Sequence, residues 1–216
     1  MKVDLSAIRS DYARAGLREE DVAPSPIVQL EKWLHDAIAA EHPEPTAMTL
    51  ATASPDGEPA ARVVLLKELD ERGLVFFTHY EGDKGRQLAA NPRASACLFW
   101  VMLERQARVT GSVVKVTRAE TEAYFESRPR ESQLGAWASE QSSVIAGREA
   151  LEARLVEVRA RFGDGPIPCP EHWGGYRLVP DRVELWQGRP NRMHDRLRYT
   201  RKSNEPNSWV IERLSP

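Results

Sequence analysis

Ala47-Met48-Thr49-Leu50-Ala51-Thr52-Ala53 and Ala60-Ala61-Arg62-Val63-Val64-Leu65-Leu66 flank Ser54-Pro55-Asp56-Gly57-Glu58-Pro59. Asp-Gly supplies a residue that accepts positive φ at low cost, and the flanking runs are rich in apolar and β-branched residues. The segment therefore reads as an antiparallel hairpin. Towards the N-terminus, Ser25-Pro26 places a capping hydroxyl and a first-turn proline before Ile27, Leu30, Trp33, Leu34 and Ile38. That spacing predicts a helix with one buried face. A shorter, charged helix is expected over Leu5–Ala15.

Towards the C-terminus, strands are expected at Leu74–Thr78, Ala94–Trp100 and Gln106–Val116, with a short helix over Gly82–Ala90. A helix from Arg118 to Phe125 is stopped by Arg128-Pro129, because proline disfavours helix in the residue before it. A second short helix runs from near Ser132 towards Trp137. Leu151, Leu155, Val158 and Phe162 form one stripe of an amphipathic helix over Gly147–Phe162, and the Gly- and Pro-rich 163–172 segment reads as a loop. Strands return at Tyr176–Leu178, Arg182–Trp186, Arg192–Tyr199 and Trp209–Leu214. Seven or eight short strands with inserted helices argue against a doubly wound parallel sheet. They favour a mainly antiparallel β-barrel decorated by helices.

Residue balance narrows the function classes. Thirty basic against thirty-two acidic residues give a net charge of −2, so no nucleic-acid or membrane partner is expected on electrostatic grounds. No run reaches the length of a membrane span, and Met1–Gly16 lacks the apolar core of a signal peptide. Cytoplasmic residence is the resulting expectation. Cys97 and Cys169 are far apart, and the five histidines lack ligand spacing, so neither a disulfide framework nor a metal site is expected. Phosphate-loop, dinucleotide and nucleophile-elbow motifs are absent. Chemistry without a protein nucleophile or metal points to an organic cofactor.

Several constellations suit anion or ring binding. Arg62 and Lys67 bracket what reads as a buried strand. Strict alternation puts them on opposite faces, so either Lys67 lies beyond the regular strand or the two serve different phosphates. Lys84 stands at a helix start, where free N–H groups favour anions. Gln106 carries an amide that can donate and accept against a heterocycle edge. Tyr124 and Arg128 are one helical turn apart, with Ser132 at the next helix start, a plausible phosphate cradle. Gln141 and Ser142 offer further donors, although such residues also serve as plain caps. Strand alternation would put Arg192, His194 and Arg196 on one face beside Trp186, with Met193 and Leu197 turned to the core. A solvated strand face explains that pattern too; the adjacent indole favours a ring ligand.

Taken together, Arg62-Val63-Val64-Leu65-Leu66-Lys67, Glu104-Arg105-Gln106, Ser127 through Trp137, Trp173-Gly174-Gly175-Tyr176-Arg177 and Trp186-Gln187-Gly188 through Arg196 resemble the pyridoxamine 5′-phosphate oxidase family. The similarity runs from about Tyr12 to the C-terminus. It implies an FMN-binding split β-barrel over residues 25–216, preceded by a mobile segment over 1–24, in a homodimer with each flavin between two subunits. The implied reaction oxidises pyridoxamine or pyridoxine 5′-phosphate to pyridoxal 5′-phosphate, with oxygen as acceptor and hydrogen peroxide as product.

By the same resemblance, Arg62, Val63, Val64, Leu65, Leu66, Lys67, Phe77, Thr78, Lys84, Gln141 and Ser142 hold or line FMN. Gln106, Trp186 and Arg196 border its ring. Lys67, Tyr124, Arg128 and Ser132 take the substrate phosphate, Arg192 and His194 hold the pyridine ring, and Arg9 and Tyr12 cover the site. Asp83 departs from the family, where arginine is common; it removes a cation, and Arg86 is the candidate to compensate. Phe77 replaces a frequent tyrosine. Two other readings remain: a related flavin oxidase of phenazine-type biosynthesis, whose unphosphorylated substrate needs no Tyr124–Arg128–Ser132 cradle, and a non-catalytic flavin or pyridoxal phosphate carrier.

Overall fold

The computed structural model describes Tyr12, residues 15–203, Glu205 and residues 207–216. Arg9 lies outside the described residues, as does the helix expected over Leu5–Ala15 apart from Tyr12 and Ala15. In chain order the elements are α1 (Pro26–Ala39), β1 (Ala47–Ala53), β2 (Pro59–Leu65), β3 (Glu68–Asp70), β4 (Gly73–His79), α2 (Asp83–Ala90), β5 (Arg93–Trp100) and β6 (Arg105–Lys115). Then follow α3 (Arg118–Ser127), α4 (Arg130–Ala138), α5 (Arg148–Phe162), β7 (Trp173–Gln187), β8 (Asp195–Arg201) and β9 (Trp209–Arg213). The nine strands form one sheet in the order β2-β1-β5-β6-β7-β4-β3, with β8 added to β7 and β9 to β8. The pairings β3·β4, β4·β7, β7·β8 and β8·β9 are all antiparallel.

The hairpin forms where expected. Gly57 adopts φ 90° and donates to the Ser54 carbonyl at 3.0 Å, closing the turn. β2 is not the buried strand that its composition suggested. It ends the sheet order with one strand neighbour, and Val63 is 66% exposed. β7 corrects the expectation of two separate strands. Its first part pairs with β4 through Leu178, and its second pairs with β8 from Arg182. Pro180 falls in the changeover, so its missing N–H costs no ladder bond on that edge.

Contacts group the chain into two compact units. One comprises the described part of Met1–Met48 with Ala96–Thr110 and Pro180–Pro216. Its core holds Leu30, Leu98, Val109, Leu185, Leu197 and Tyr199, and Trp33 meets Trp100 edge-on with centroids 6.3 Å apart. Trp100 Nε1 donates to the Pro45 carbonyl at 2.8 Å, so its polar edge is satisfied when buried. Each fully buried leucine contributes roughly 1.5–3 kcal/mol. α1 starts at Pro26 as expected, but the Ser25 side chain makes no capping bond and Ile38 points to solvent.

The second unit comprises Thr49–Ser95 and Gly111–Val179. Phe125, Leu134, Ala136, Ile167 and Trp173 form a buried cluster. α3 opens with a reciprocal capping box between Thr117 and Glu120. The stripe expected on α5 is only partly covered: Leu155, Val158 and Phe162 pack on this cluster, whereas Leu151 is exposed and no α5 residue is fully buried. At the start of β7 the chain needs two glycines. A Cβ on Gly174 would lie 2.1 Å from the Tyr80 hydroxyl, and one on Gly175 would lie 2.8 Å from the Phe77 ring. Among the described residues, no helix is long and apolar enough to cross a membrane.

Candidate active site

The second unit contains a cavity of about 320 Å³ lined by residues of β2, β4, α2 and α3, by Gln141 and by Trp173. Of the residues expected to hold FMN, it brings together Val63, Val64, Leu65, Lys67, Phe77, Thr78, Lys84 and Gln141. Tyr124 and Arg128 line the same space. Lys67 sits two residues past the end of β2, which resolves its facing relative to Arg62: it is beyond the regular strand. Its backbone N–H donates to Val75 at 2.8 Å and ties that exit to β4.

Lys84 is buried in the first turn of α2. Its Nζ donates to Gln141 Oε1 at 2.6 Å and Thr78 Oγ1 at 3.3 Å. Arg62 donates to Thr52 Oγ1 at 2.5 Å and Gln87 Oε1 at 3.2 Å. All these acceptors are neutral. Burial, and next the nearby Arg62 charge, hold the Lys84 amine below its ordinary range, with Asp83 partly opposing. Burial lowers Arg62 as well. Two desolvated cations on neutral acceptors make an anion site. Ser142, in left-handed conformation at φ 71°, accepts from the Asp83 N–H at 3.2 Å.

Arg86 does not supply a third cation. Its guanidinium pairs with Asp83 at 2.5 Å and bonds the Glu81 carbonyl. It compensates for Asp83 by neutralising it.

Arg128 occupies the joint between α3 and α4. α3 runs to Ser127, two residues beyond the expected end, and Arg128 follows with extended backbone. The Gln133 side-chain amide donates to the carbonyls of Phe125, Glu126 and Arg128 at 3.0–3.2 Å, fixing the joint. Nη1 of Arg128 is buried without a hydrogen-bond partner. Burial lowers the Arg128 pKa, and it raises that of Tyr124, whose shift Arg128 opposes. Ser132 lines a second cavity, of about 270 Å³, with His79, Ser139 and Gly135. Arg128, Gln141 and Trp173 line both cavities.

Trp173 and His79 were given no role from sequence. Trp173 stacks with Phe77 (14°, 5.5 Å) and lies parallel to Tyr124 (7°, 6.2 Å). Phe77 itself stacks on Tyr124 at 3.9 Å. The only sequence signal was Trp173's place before the paired glycines.

In the first unit, Trp186, His194 and Tyr12 cluster. Trp186 and His194 centroids are 4.7 Å apart, and the Tyr12 ring meets each edge-on at 5.6 Å. Gly188 leaves room for Tyr12, since a Cβ there would lie 2.8 Å from its ring. The expected common strand face of Arg192, His194 and Arg196 is not observed. β8 begins only at Asp195; Asn191 and Arg192 take φ 56° and 61°, so the chain turns before the strand. Met193, expected in the core, is 64% exposed. Arg196 is not an unpaired cation: it binds Glu184 at 2.9 Å across the β7–β8 ladder and bonds the Ser215 carbonyl at 2.7 Å. Arg192 is exposed, and Gln106 is half-buried on β6.

The N-terminal approach to this cluster is strapped down. The Asp195 carboxylate accepts from the Leu17 N–H at 2.9 Å and pairs with Arg213 at 2.7 Å. Arg213 also pairs with Glu19 at 2.7 Å and donates to the Leu17 carbonyl.

Comparison with known proteins adds independent findings. Residues 34–162 match the family model described as pyridoxamine 5′-phosphate oxidase. Residues 173–216 match that of the pyridoxine 5′-phosphate oxidase C-terminal dimerisation region. The pyridoxine/pyridoxamine 5′-phosphate oxidase of Ralstonia pickettii is 57% identical over 212 residues, and that of Burkholderia vietnamiensis is 55% identical over 212 residues. Each alignment covers 98% of this chain and 99% of the relative. Among solved structures, PhzG from Burkholderia lata 383, in complex with tetrahydrophenazine-1-carboxylic acid, is 34% identical with a TM-score of 0.88. That match covers 94% of this chain and 99% of the other. The fold class is accordingly the antiparallel split β-barrel with inserted helices.

Proposed function

We propose that this chain, which belongs to the pyridoxamine 5′-phosphate oxidase family, is an FMN-dependent oxidase that converts pyridoxamine and pyridoxine 5′-phosphates to pyridoxal 5′-phosphate. Oxygen is the electron acceptor and hydrogen peroxide the second product. The observation that carries this reading is the buried, unpartnered Nη1 of Arg128, in a cavity that also holds Lys84 on neutral acceptors. A buried donor without an acceptor is costly unless a ligand completes it. Two sets of cations without carboxylate partners suit two phosphates, one of the cofactor and one of the substrate.

The residues fit FMN on this test. Lys84, Arg62, Thr78, Gln141 and Ser142 supply donors for its phosphate and ribityl chain. Val63–Lys67 and Phe77 supply walls, and Gln106, Trp186 and Arg196 border the ring. Bound FMN supplies the hydride acceptor for the substrate's 4′-carbon and the route for electrons to oxygen.

The chain's own work is positioning. Arg128, with Lys67, Tyr124 and Ser132, anchors the substrate phosphate by charge-assisted bonds. Arg192 and His194 hold the pyridine ring, with Tyr12 covering His194. No side chain is assigned as the base. The dimerisation-region match supports a homodimer, with FMN between subunits.

A second reading is favoured by the likeness to PhzG: oxidation of an unphosphorylated tricyclic substrate. The buried donor on Arg128 favours the phosphorylated one. The test is to purify the protein, record bound flavin, and measure pyridoxal 5′-phosphate and peroxide formed from pyridoxamine 5′-phosphate. A colourless protein that FMN does not reconstitute overturns the reading. Turnover that ignores the substrate phosphate favours the second.

A further inference from the structure

Arg128 poses a mechanical question. It carries a long side chain on an extended backbone joint, and a free arginine has about 2 kcal/mol of rotamer entropy to lose on fixing. Its Nη1 has no hydrogen-bond partner. Two rings flank it instead: Cζ lies 4.6 Å from the Trp173 ring centroid and 5.6 Å from that of Phe125. These rings meet edge-to-face, 69° apart with centroids at 5.2 Å, and form a corner around the guanidinium.

We infer that Trp173 is a positioning residue for phosphate recognition, holding the Arg128 guanidinium against its face and leaving the N–H edge free for the substrate phosphate. This rests on the phosphorylated-substrate reading above. A carboxylate could orient Arg128 equally well, but it would occupy the N–H donors and cancel the charge that attracts the anion. An aromatic face holds the cation through its quadrupole and occupies no donor.

Trp173 is itself well fixed. It is buried in the Phe125–Leu134–Ile167 cluster, and Phe77 and Tyr124 lie parallel to it. Gly174 and Gly175 follow at once, each with a neighbour too close to admit a Cβ. The indole can therefore impose its orientation on Arg128 rather than follow it.

The experiment compares FMN-loaded wild type, Trp173→Phe and Trp173→Leu for equilibrium binding of pyridoxal 5′-phosphate and of unphosphorylated pyridoxal. Trp173→Leu should weaken the phosphorylated ligand about tenfold, the scale of a desolvated cation–π contact, and the other less than about twofold. Trp173→Phe keeps a flat face and should lose about threefold, again for the phosphorylated ligand alone. In an Arg128→Ala background, neither change should weaken binding further, because the partner is gone. Equal losses for both ligands, no loss, or full additivity with Arg128→Ala overturns the inference. If Trp173→Leu does not fold, Trp173→Phe alone decides by the same comparison. A wild type that binds both ligands equally refutes the underlying reading instead, whatever Trp173 does.

Discussion

The backbone N–H of Arg189 donates to Nδ1 of His194 at 3.1 Å. A backbone amide is always a donor, so Nδ1 must accept, and the neutral ring carries its proton on Nε2. His194 is thereby presented as an Nε2–H donor towards any acceptor on a bound ring. ¹⁵N NMR of the folded protein should show Nδ1 unprotonated. Glutamine, whose terminal amide reaches as far as Nε2, should retain kcat/KM better than asparagine. We expect about tenfold between them, the worth of roughly one hydrogen bond. Asparagine outperforming glutamine would assign the working nitrogen to Nδ1.

Arg128→Ala should separate stability from binding. The native side chain leaves a buried donor unpaired, so its removal costs no hydrogen bond at Nη1. Tm should stay within about 2 °C or rise, because a buried uncompensated charge is relieved. KM for the phosphorylated substrate should rise about 10- to 100-fold, as for lost charged hydrogen bonds, with FMN affinity nearly unchanged. A large fall in FMN affinity would assign Arg128 to the cofactor phosphate.

Lys84 predicts a proton exchange. Burial and Arg62 lower its pKa in the ligand-free fold. A depressed folded pKa means that the fold gains stability as pH rises through it, and loses that gain as the lysine recharges at lower pH. A phosphate placed against the amine favours its charged form, so FMN binding at alkaline pH should take up protons. Calorimetry in buffers of different ionisation heat measures this directly, and Lys84→Met should abolish it. Proton release would contradict the assignment of Lys84 to the phosphate.

Local chemistry decided which features could be read beforehand. Asp56-Gly57 and Ser25-Pro26 act over a few residues, so the hairpin and α1 were legible. Pro180 misled, because its tolerance inside β7 depends on which neighbour pairs on each side. Arg192 carries no local cue for its φ of 61°, so the turn before β8 was invisible and strand alternation was applied too early. Arg196 read as an unpaired cation because Glu184 reaches it only through the β7–β8 register. Motif resemblance collected the residues of the large cavity, from Val63 to Gln141. It could not show that Trp173 lies against Arg128, since that contact joins positions 45 residues apart.

The strap below Tyr12 should open in acid at a defined place. The Arg213 hydrogen bond takes the Glu19 carboxyl from its ordinary 4.5 to about 2. Burial pushes the Asp195 carboxyl up, but bonds from Leu17 N–H and Arg213 outweigh it and leave it low. Both are depressed carboxylates, so their stabilisation is complete above the ordinary range and is lost as pH falls towards the folded values. Glu19 should titrate near 2 by carboxyl NMR, and Arg213→Ala should return it to about 4.5. Hydrogen exchange at Leu17 should then accelerate without global unfolding, because Glu19 and Arg213 are exposed and their pair holds a terminal segment. An ordinary Glu19 midpoint in the wild type would mean that the ion pair does not persist in water, the common fate of exposed pairs. Tyr12 would then be held on Trp186 and His194 by ring contacts alone.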